Sequence, residues 1–363
     1  MALAAHQAID RHLHGIAISW MINSSNLRLA AALESAGLPY TAFNPEPAFR
    51  LFRSPVTFLR KTLRTARIFR QTRPNLIMLL QGWIIDGFDG VFPASLAGVP
   101  FCSYIPLAHS PIDWGVKRWP RARTLALFPF FRTISRFITI DEQQAIRIRG
   151  WRTNAQIAVV ENFVPRPPIA SLKFDHARQR LRLHAELTVL GVVGRISFWQ
   201  KAQDWLVNAF ADDDFLCDKT LVFIGDGPDS PQLLQLIEAS PWRSHIRMLG
   251  WCDNLDVIYS ALDLLIIPSR AEGVPLVMIE ALARHIPVVG SDRDGMKSWL
   301  PAEWRFPFGD TAAMKRSIEC ALSPEAAELW HGIDQRLAIA TDERRFAQQF
   351  GQALLNYCSP SPG

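Results

Sequence analysis

Short apolar segments recur along this chain, and helical patterns of about ten to fifteen residues separate them. Segments such as Leu264–Ile267 are apolar at every position, which is typical of strands that helices cover on both faces. The alternation predicts an α/β protein with parallel sheets and crossover helices. The predicted strands are Ile16–Trp20, Tyr40–Phe43, Leu76–Leu80, Phe101–Ile105, Phe137–Ile140, Ile157–Val160, Val189–Val193, Leu221–Ile224, Ile246–Leu249, Leu264–Ile267 and Ile286–Val289.

The alternation is interrupted once, at Glu161–Ala170, where prolines stand at positions 165, 167 and 168. Three prolines so close together fit neither a helix interior nor a central strand, so we interpret this segment as an interdomain linker. The 363 residues then divide into two doubly wound, Rossmann-like domains, 1–165 and 166–342. A last helix, roughly Glu343–Tyr357, and a frayed tail occupy residues 343–363. Ligands are expected in a central cleft, at the carboxyl ends of the strands.

The two halves carry opposite charge. Residues 1–165 hold 19 Lys and Arg against 9 Asp and Glu, whereas residues 166–363 hold 20 against 25. The asymmetry predicts two domains with different partners, and the basic half should face something anionic.

Cysteine usage and hydropathy limit where the protein works. The five cysteines are dispersed without a Cys-x-x-Cys pair, which argues against a disulfide framework and against a zinc site. The longest apolar stretch, Leu76–Ile85, is about half the length of a membrane span. The first residues contain no apolar run of signal-peptide length. We therefore expect a cytoplasmic protein, either free in the cytoplasm or peripherally bound to the inner face of the cytoplasmic membrane.

The richest stretch is Leu264–Asp292, in which a buried strand leads through a loop to a helix that we expect Pro275 to open. The start of such a helix suits a phosphate or pyrophosphate. Glu272 lies in the loop, and Glu280 follows eight positions later in the helix. Carboxylates beside an anion site make sense when the ligand also carries hydroxyl groups, as a sugar and a ribose do.

A second stretch, Val189–Phe210, places Arg195 just beyond a strand and Lys201 at the expected start of the next helix. Two cations at this position would hold a diphosphate and stabilise it as a leaving group. Two further stretches follow, Leu221–Ser230 with the tight turn Gly-Asp-Gly-Pro, and Met248–Asp263.

In order and spacing, these four stretches resemble the retaining family 4 glycosyltransferases of the GT-B fold, over about Val189–Leu300. The resemblance implies that Arg195 and Lys201 hold the diphosphate of a nucleotide-sugar donor, that Glu272 lies beside the transferred sugar and that Glu280 binds the ribose. It also implies that His109, in the N-terminal half, faces the reacting sugar, and that the final helix crosses back onto that half. The remaining residues that it implies at the donor are Gly194, Gly225, Gly250, Trp251, Cys252, Gly273, Val274 and Leu276.

The chain departs from the family pattern in three places. Met21–Asn26 stands where the family has a Gly-Gly loop, Ala202 stands where a glycine follows the lysine, and the family's Gly-Gly-x-x-Glu is Asp294–Ser298 here. The donor residues are retained, whereas the residues on the acceptor side are altered.

Several alternatives stay open. The two glutamates would also suit the paired carboxylates of a glycosidase, although that reaction needs neither a phosphate site nor the two cations. A structural role for His109 is as compatible with the sequence as a position facing the sugar. Asp292-Arg293-Asp294 spells a metal motif of another glycosyltransferase fold, but we interpret it as a loop and expect no metal and no cofactor. Asp212–Asp214 is interpreted as a solvated acidic turn.

Arg50–Arg73 holds eight basic residues and no acidic one. Phe52, Val56, Leu59, Leu63 and Ala66 share one helical face, which would rest on anionic lipid or, equally, pack on the sheet. The basic, aromatic segment Lys117–Arg136 adds weight to the lipid interpretation. Nucleic acid is not expected as a partner, since the sequence has no helix-turn-helix, zinc-finger or RNA-recognition signature.

The sequence therefore predicts a retaining hexosyltransferase. It would move a sugar from a UDP- or GDP-linked donor to a glycan or lipid-linked acceptor, in the assembly of cell-surface polysaccharide or lipopolysaccharide. The alternative is a catalytically degenerate relative that binds a nucleotide sugar or a partner.

Overall fold

The structure is a computed structural model, and it describes residues 2–43, 54–84, 88–112, 120–167 and 174–358. Twelve strands occur in these residues, and most follow an apolar run of the sequence. They are β1 Trp20–Asn23, β2 Tyr40–Phe43, β3 Ile77–Leu80, β4 Phe101–Tyr104, β5 Arg136–Thr139, β6 Gln156–Val159, β7 Thr188–Val193, β8 Lys219–Ile224, β9 Ile246–Gly250, β10 Leu264–Ile267, β11 Val288–Ser291 and β12 Arg305–Phe306.

Helices separate the strands, as the crossover pattern requires. Two short 3-10 helices, Ala302–Trp304 and Pro324–Leu329, lie among the later ones. The α-helices are α1 Ala2–His12, α2 Leu27–Ser35, α3 Pro55–Thr72, α4 Phe88–Ala97, α5 Pro120–Thr133, α6 Glu142–Trp151, α7 Phe174–Arg180, α8 Phe198–Lys201, α9 Gln203–Ala209, α10 Ser230–Ala239, α11 Leu255–Ala261, α12 Leu276–Leu282, α13 Asp294–Trp299, α14 Thr311–Leu322, α15 Trp330–Ala340 and α16 Glu343–Cys358.

The chain divides into two compact units. Residues 1–163 and 343–363 form the N-terminal unit, and residues 164–342 form the C-terminal unit. The expected boundary at 165/166 differs from this division by two residues, and the last helix, α16, belongs with the N-terminal unit.

The C-terminal unit contains one parallel sheet with the strand order β12-β11-β10-β7-β8-β9. The order reverses between β7 and β10, which are neighbours in the sheet although two strands, β8 and β9, lie between them in sequence order. All four residues of β10 are buried, in agreement with its continuous apolar sequence. The reversal brings the loops that follow β7 and β10 to the same edge of the sheet.

The N-terminal unit contains a four-stranded parallel sheet, β3-β4-β5-β6, and a separate parallel pair, β1-β2. Helix α16 packs against α1, and its Tyr357 hydroxyl donates to the carbonyl oxygen of Phe137 at 2.9 Å. The buried Arg136 guanidinium in turn donates to the carbonyl oxygen of Tyr357 at 2.8 Å. The last helix is therefore tied to strand β5.

Two sequence interpretations of this unit were wrong. The first strand begins at Trp20, where the predicted segment Ile16–Trp20 ends, because Ile16 and Ile18 pack on the helices α1 and α16 as part of a loop. Helix α3 buries Phe58, Thr62, Thr65, Ala66 and Phe69, which share only Ala66 with the predicted apolar face.

The remaining apolar residues of that predicted face, Val56, Leu59 and Leu63, are exposed. Phe52 and the basic residues at 50 and 53 lie outside the described residues, as do residues 117–119 of the second basic segment. Within the described part of the chain, every helix is too short or too polar to cross a membrane.

The C-terminal sheet is anchored at one end by Arg178 of α7. Its buried guanidinium donates to the carbonyl oxygens of Ala185 at 2.6 Å and Leu187 at 2.9 Å, and it pairs with Asp263. The Asp263 carboxylate also accepts from the backbone N–H of Val189 at 2.6 Å. One arginine thus fixes the starts of β7 and β10, the two strands whose following loops carry Arg195 and Glu272.

We expect Arg178→Met to destabilise the C-terminal unit by about 2–3 kcal/mol, because it leaves buried acceptors without a donor. Urea unfolding followed by tryptophan fluorescence measures the loss. Arg180→Met is the matched control, since Arg180 lies on the same helix and is exposed. Equal unfolding midpoints for the two variants would contradict the anchoring role of Arg178.

Candidate functional site

The loop after β7 contains Arg195, which is exposed directly beyond Gly194. A second loop, after β8, packs closely on it. A Cβ atom on Gly225 would lie 1.9 Å from the carbonyl oxygen of Gly194, and one on Gly227 would lie 2.0 Å from that of Ile196. The glycines of the Gly-Asp-Gly-Pro turn are therefore required by close backbone approach.

Lys201 does not open a helix, contrary to the sequence interpretation. It is the last residue of the one-turn helix α8, and Ala202 follows in the left-handed region with φ 55° and ψ 35°. The position therefore demands the conformation that glycine adopts most easily, which is the residue of the family pattern. The next helix, α9, begins at Gln203.

Gln203 connects this helix to the loop that carries Arg195. Its side-chain amide donates to the carbonyl oxygen of Arg195 at 2.9 Å and accepts from the N–H of Ser197 at 3.2 Å. The residue is buried, so the two bonds are shielded from water. The sequence analysis did not identify Gln203, because nothing in a single sequence distinguishes a loop-bracing amide from any other helical glutamine.

Glu272 and Lys201 meet at the carboxyl edge of the sheet. The Lys201 Nζ lies 2.5 Å from Glu272 Oε1, and the same oxygen accepts from the Ser269 hydroxyl at 2.7 Å. The glutamate is buried, whereas the lysine side chain retains 22% of its exposure. The structure thus brings together a cation and a carboxylate that are 71 positions apart in sequence.

The loop that carries Glu272 is held by one residue of the next strand, β11, and by the first residue of the helix that follows it, α13. The Asp294 carboxylate accepts from the N–H of Glu272 at 3.0 Å, and the Ser291 hydroxyl donates to the carbonyl oxygen of Ser269 at 2.6 Å. Asp294 is buried and its φ is 46°. Asp292, the other carboxylate of the Asp-x-Asp motif, pairs instead with Arg305 and lies 3.8 Å from Lys297. The two aspartates therefore have separate structural partners.

Pro275 is the residue before helix α12 rather than its first residue, which corrects the sequence interpretation. Its carbonyl oxygen accepts from Met278 at 3.1 Å and Ile279 at 3.4 Å. Val274 is buried, whereas Gly273 and Leu276 are partly exposed. The N–H of Gly295 donates to the carbonyl oxygen of Gly273 at 2.8 Å and fixes this backbone segment.

Glu280 lies on α12 within a partly buried network. Its Oε2 accepts from the Tyr259 hydroxyl at 2.7 Å, and the Arg284 guanidinium lies 4.9 Å from the Tyr259 ring centroid. Burial, with the Glu280 carboxylate as a second cause, raises the pKa of Tyr259, so the hydroxyl stays protonated and donates. Arg284 also pairs with Asp256 at 2.6 Å. The carboxylate therefore has a fixed orientation.

A cavity of about 550 Å³ opens beside this network. Its lining comes from the linker, from the loop after β9 and from α11 and α12, all within the C-terminal unit. The lining residues are Val164, Pro165, Arg166, Pro167, Asp253, Asn254, Leu255, Asp256, Glu280 and Arg284. Its volume is within the range of small-molecule sites.

The predicted base-bordering residues follow β9. Gly250 has φ 70°, and its carbonyl oxygen accepts from the N–H of Gly225 at 2.8 Å. Trp251 is 60% exposed, and its indole N–H donates to Asp253 at 2.6 Å, while Cys252 is partly exposed. An indole held by a loop carboxylate presents a fixed, flat apolar surface at the edge of the sheet.

His109 belongs to the N-terminal unit, in the loop after β4. It is buried, and its carbonyl oxygen accepts from the indole N–H of Trp83 at 2.8 Å. In place of the family's glycine loop, Asn23 accepts from the N–H and hydroxyl of Ser25, and Asn26 caps α2. Side-chain hydrogen bonds therefore shape this turn without glycine.

Within the described ranges, no three His, Cys, Asp or Glu side chains cluster as metal ligands would. Asp213 pairs with Lys315, and this contact lowers the pKa of the carboxyl. The acidic turn at 212–214 therefore carries a surface ion pair.

Comparison with known proteins agrees with this geometry. Residues 188–324 match the family profile named Glycosyl transferases group 1. The putative glycosyltransferase EpsD of Bacillus subtilis (strain 168) is 23% identical over 70% of this chain and 65% of its own length. The lipopolysaccharide core biosynthesis glycosyltransferase LpsD of Rhizobium meliloti (strain 1021) is 28% identical over 47% of each chain. The chain thus spans less than two thirds of these curated relatives.

Solved structures establish the fold. Anabaena HepE in complex with UDP and glucose superposes with a TM-score of 0.74 at 17% identity, over 94% of this chain and 100% of that one. Sucrose-phosphate synthase from Thermosynechococcus elongatus gives a TM-score of 0.72 at 17% identity, over 93% and 98%. The predicted GT-B fold and the resemblance to glycosyltransferases are confirmed, whereas membership of family 4 in particular stays a prediction.

The close packing of the two loops gives a direct test. We expect Gly227→Ala to destabilise the C-terminal unit by about 1–3 kcal/mol, because the added Cβ overlaps the carbonyl oxygen of Ile196. Gly332 lies in helix α15, where an added Cβ would have no atom within 4 Å. Gly332→Ala should therefore raise the free energy of unfolding by about 0.5–1 kcal/mol. Thermal unfolding of both variants measures the difference, and a Gly227→Ala protein as stable as Gly332→Ala would refute the predicted overlap.

Proposed function

We propose that this protein is a retaining glycosyltransferase that uses a nucleotide-diphospho-sugar. The observation that carries the proposal is the pairing of Lys201 with the buried Glu272 at the point where the strand order reverses. Both residues lie within the segment that matches the glycosyltransferase profile. Ligand sites of open α/β sheets occur at such reversals.

The chemistry follows from the charges. Arg195 and Lys201 would stabilise the negative charge that develops on the diphosphate as its bond to the sugar breaks. The acceptor oxygen would bond to the same sugar carbon on the same face, and its proton would pass to a diphosphate oxygen. Glu272 would accept hydrogen bonds from the sugar hydroxyls. This front-face course needs no covalent intermediate and, in our proposal, no metal or cofactor.

The remaining donor contacts would come from α12 and the loops around it. Backbone groups at Gly273, Val274 and Leu276 would contact the pyrophosphate, and Glu280 would accept from the ribose hydroxyls. The ordered Trp251 indole, with Gly250 and Cys252, would border the base. UDP is the first nucleotide to test, since HepE is a structural neighbour solved with UDP and with UDP-glucose, while GDP stays a candidate.

The acceptor we propose is a glycan or a lipid-linked intermediate of surface polysaccharide or lipopolysaccharide assembly, in the cytoplasm. The names of EpsD and LpsD support a glycosyltransferase role and, for LpsD, a lipopolysaccharide pathway. His109 would face the sugar, and this role rests on the resemblance alone. The competing proposal, a catalytically degenerate binding protein, draws on the altered glycine loop at Met21–Asn26.

Lys201→Ala tests the donor site. We expect UDP or GDP at about 100 times its dissociation constant to stabilise the wild type by about 2.7 kcal/mol, and we expect the variant to lose most of this shift. A thermal-shift panel of UDP, GDP, ADP and their sugar conjugates measures it. Lys297→Ala is the control, because Lys297 is an exposed lysine of the same unit.

Donor hydrolysis without acceptor separates the two proposals. A competent enzyme slowly transfers the sugar to water, and Lys201→Ala should slow this hydrolysis by about 100-fold or more. Nucleotide binding without hydrolysis or transfer would favour the degenerate protein. A thermal shift as large for Lys201→Ala as for the wild type would show that Lys201 does not contact the nucleotide.

Tyr259→Phe tests how Glu280 is oriented. We expect the variant to bind the nucleoside diphosphate about 5–10-fold more weakly, with kcat little changed, because the carboxylate loses one donor. Calorimetric titration measures the affinity. Tyr40→Phe is a matched control, since Tyr40 donates to Glu34 at the same 2.7 Å on the N-terminal unit. Unchanged affinity in Tyr259→Phe would show that the hydroxyl does not position Glu280 for the ligand.

A further inference from the structure

Helix α3 leaves apolar side chains in water. Val56, Leu59 and Leu63 are 79%, 55% and 52% exposed, and their spacing of three and four residues places them on one side of the helix. The opposite side packs on the N-terminal unit through residues that include Thr62 and Thr65. A helix that buries threonines while it exposes leucines has a second apolar surface, beyond what its own core uses.

Arginines accompany this apolar stripe. Arg60, Arg64 and Arg67 are exposed and project from the outward half of the same helix. The 18 residues of α3, Pro55–Thr72, include no acidic side chain, so no carboxylate within the helix neutralises them. The surface therefore combines apolar contact with concentrated positive charge.

We propose that this face of α3, defined by Val56, Leu59, Arg60, Leu63, Arg64 and Arg67, docks on the surface of an anionic lipid bilayer. The helix is about 27 Å long and would lie in the plane of the interface. The leucines and the valine would enter the boundary between head groups and acyl chains. The arginines would bind lipid phosphates, with their apolar stems against the same boundary.

The combination of side chains favours lipid over other anionic partners. A nucleic acid would use the arginines but would offer no apolar phase to the leucines. A second copy of the same face would oppose arginine to arginine, which costs free energy. A bilayer with anionic head groups satisfies both the apolar stripe and its charge.

The first experiment is vesicle flotation of the whole protein. We expect binding to phosphatidylcholine vesicles that contain about 30 mol% phosphatidylglycerol at about 0.1 M salt, and release at about 1 M salt. Pure phosphatidylcholine vesicles should retain little protein. Equal binding to both kinds of vesicle, or to neither, would overturn the proposal.

The leucines are tested against exposed leucines elsewhere. Leu59→Gln/Leu63→Gln should weaken vesicle binding by about tenfold, because the apolar insertion is lost. The control is Leu234→Gln/Leu355→Gln, whose leucines are 48% and 53% exposed on α10 and α16. All four sites are exposed, so the folds of both variants should survive, and circular dichroism verifies this.

The arginines are tested in the same way. Arg60→Gln/Arg64→Gln/Arg67→Gln should weaken binding by about 100-fold, since each basic residue at an anionic surface contributes several-fold. The control Arg180→Gln/Arg243→Gln/Arg316→Gln removes the same charge from exposed positions of the C-terminal unit. Equal losses in the two triple variants would show that net charge, rather than α3, is responsible, and would overturn the proposal.

Two further readouts keep the test specific. Donor hydrolysis in solution should be unchanged in the α3 variants, so failure of the glycosyltransferase proposal and failure of the lipid proposal are distinguishable. Sedimentation should show no change of oligomeric state between wild type and Leu59→Gln/Leu63→Gln. A dimer that this variant dissociates would assign the face to a second copy and overturn lipid docking.

Discussion

The reversal of strand order between β7 and β10 is the constraint on which the site depends. Parallel neighbours end at one edge of the sheet, so the loops after them must meet. Lys201 and Glu272 are brought to 2.5 Å by this topology, although 71 positions separate them. The Arg178–Asp263 pair lies at the opposite ends of the same two strands. It holds β7 and β10 in register and so keeps Lys201 and Glu272 within reach of each other.

Much of this architecture could be predicted because it depends on burial. A strand covered on both faces must be apolar throughout, and β10 was predicted at its observed limits, Leu264–Ile267, for this reason. The strand pattern predicted the two α/β domains, and the family resemblance of the motifs that carry Lys201, Glu272 and Glu280 implied the GT-B fold. The ten-residue proline-rich segment from Glu161 likewise falls where the two units divide.

What could not be predicted depends on contacts between distant segments. Tyr259 reaches Glu280 across 21 positions, and Asp294 holds the backbone of Glu272 across 22, through side chains that carry no local signature. The buried face of helix α3 could not be predicted either. Its periodic apolar residues indicated one face, but the unit buries another that includes Thr62 and Thr65, because packing depends on the shape of the neighbouring elements.

The Ser269 hydroxyl suggests how Glu272 would serve the proposed site, which would also hold an anion. In the structure, Glu272 shares its Oε1 between Lys201 and Ser269. A diphosphate would draw the ammonium of Lys201 toward itself and would leave the buried carboxylate with one partner fewer. The Ser269 hydroxyl, 2.7 Å from the same oxygen, would keep that carboxylate hydrogen-bonded, so its charge would remain compatible with burial. In the proposed reaction, Lys201 would then turn to the leaving group while the Glu272 carboxylate would stay oriented for the sugar.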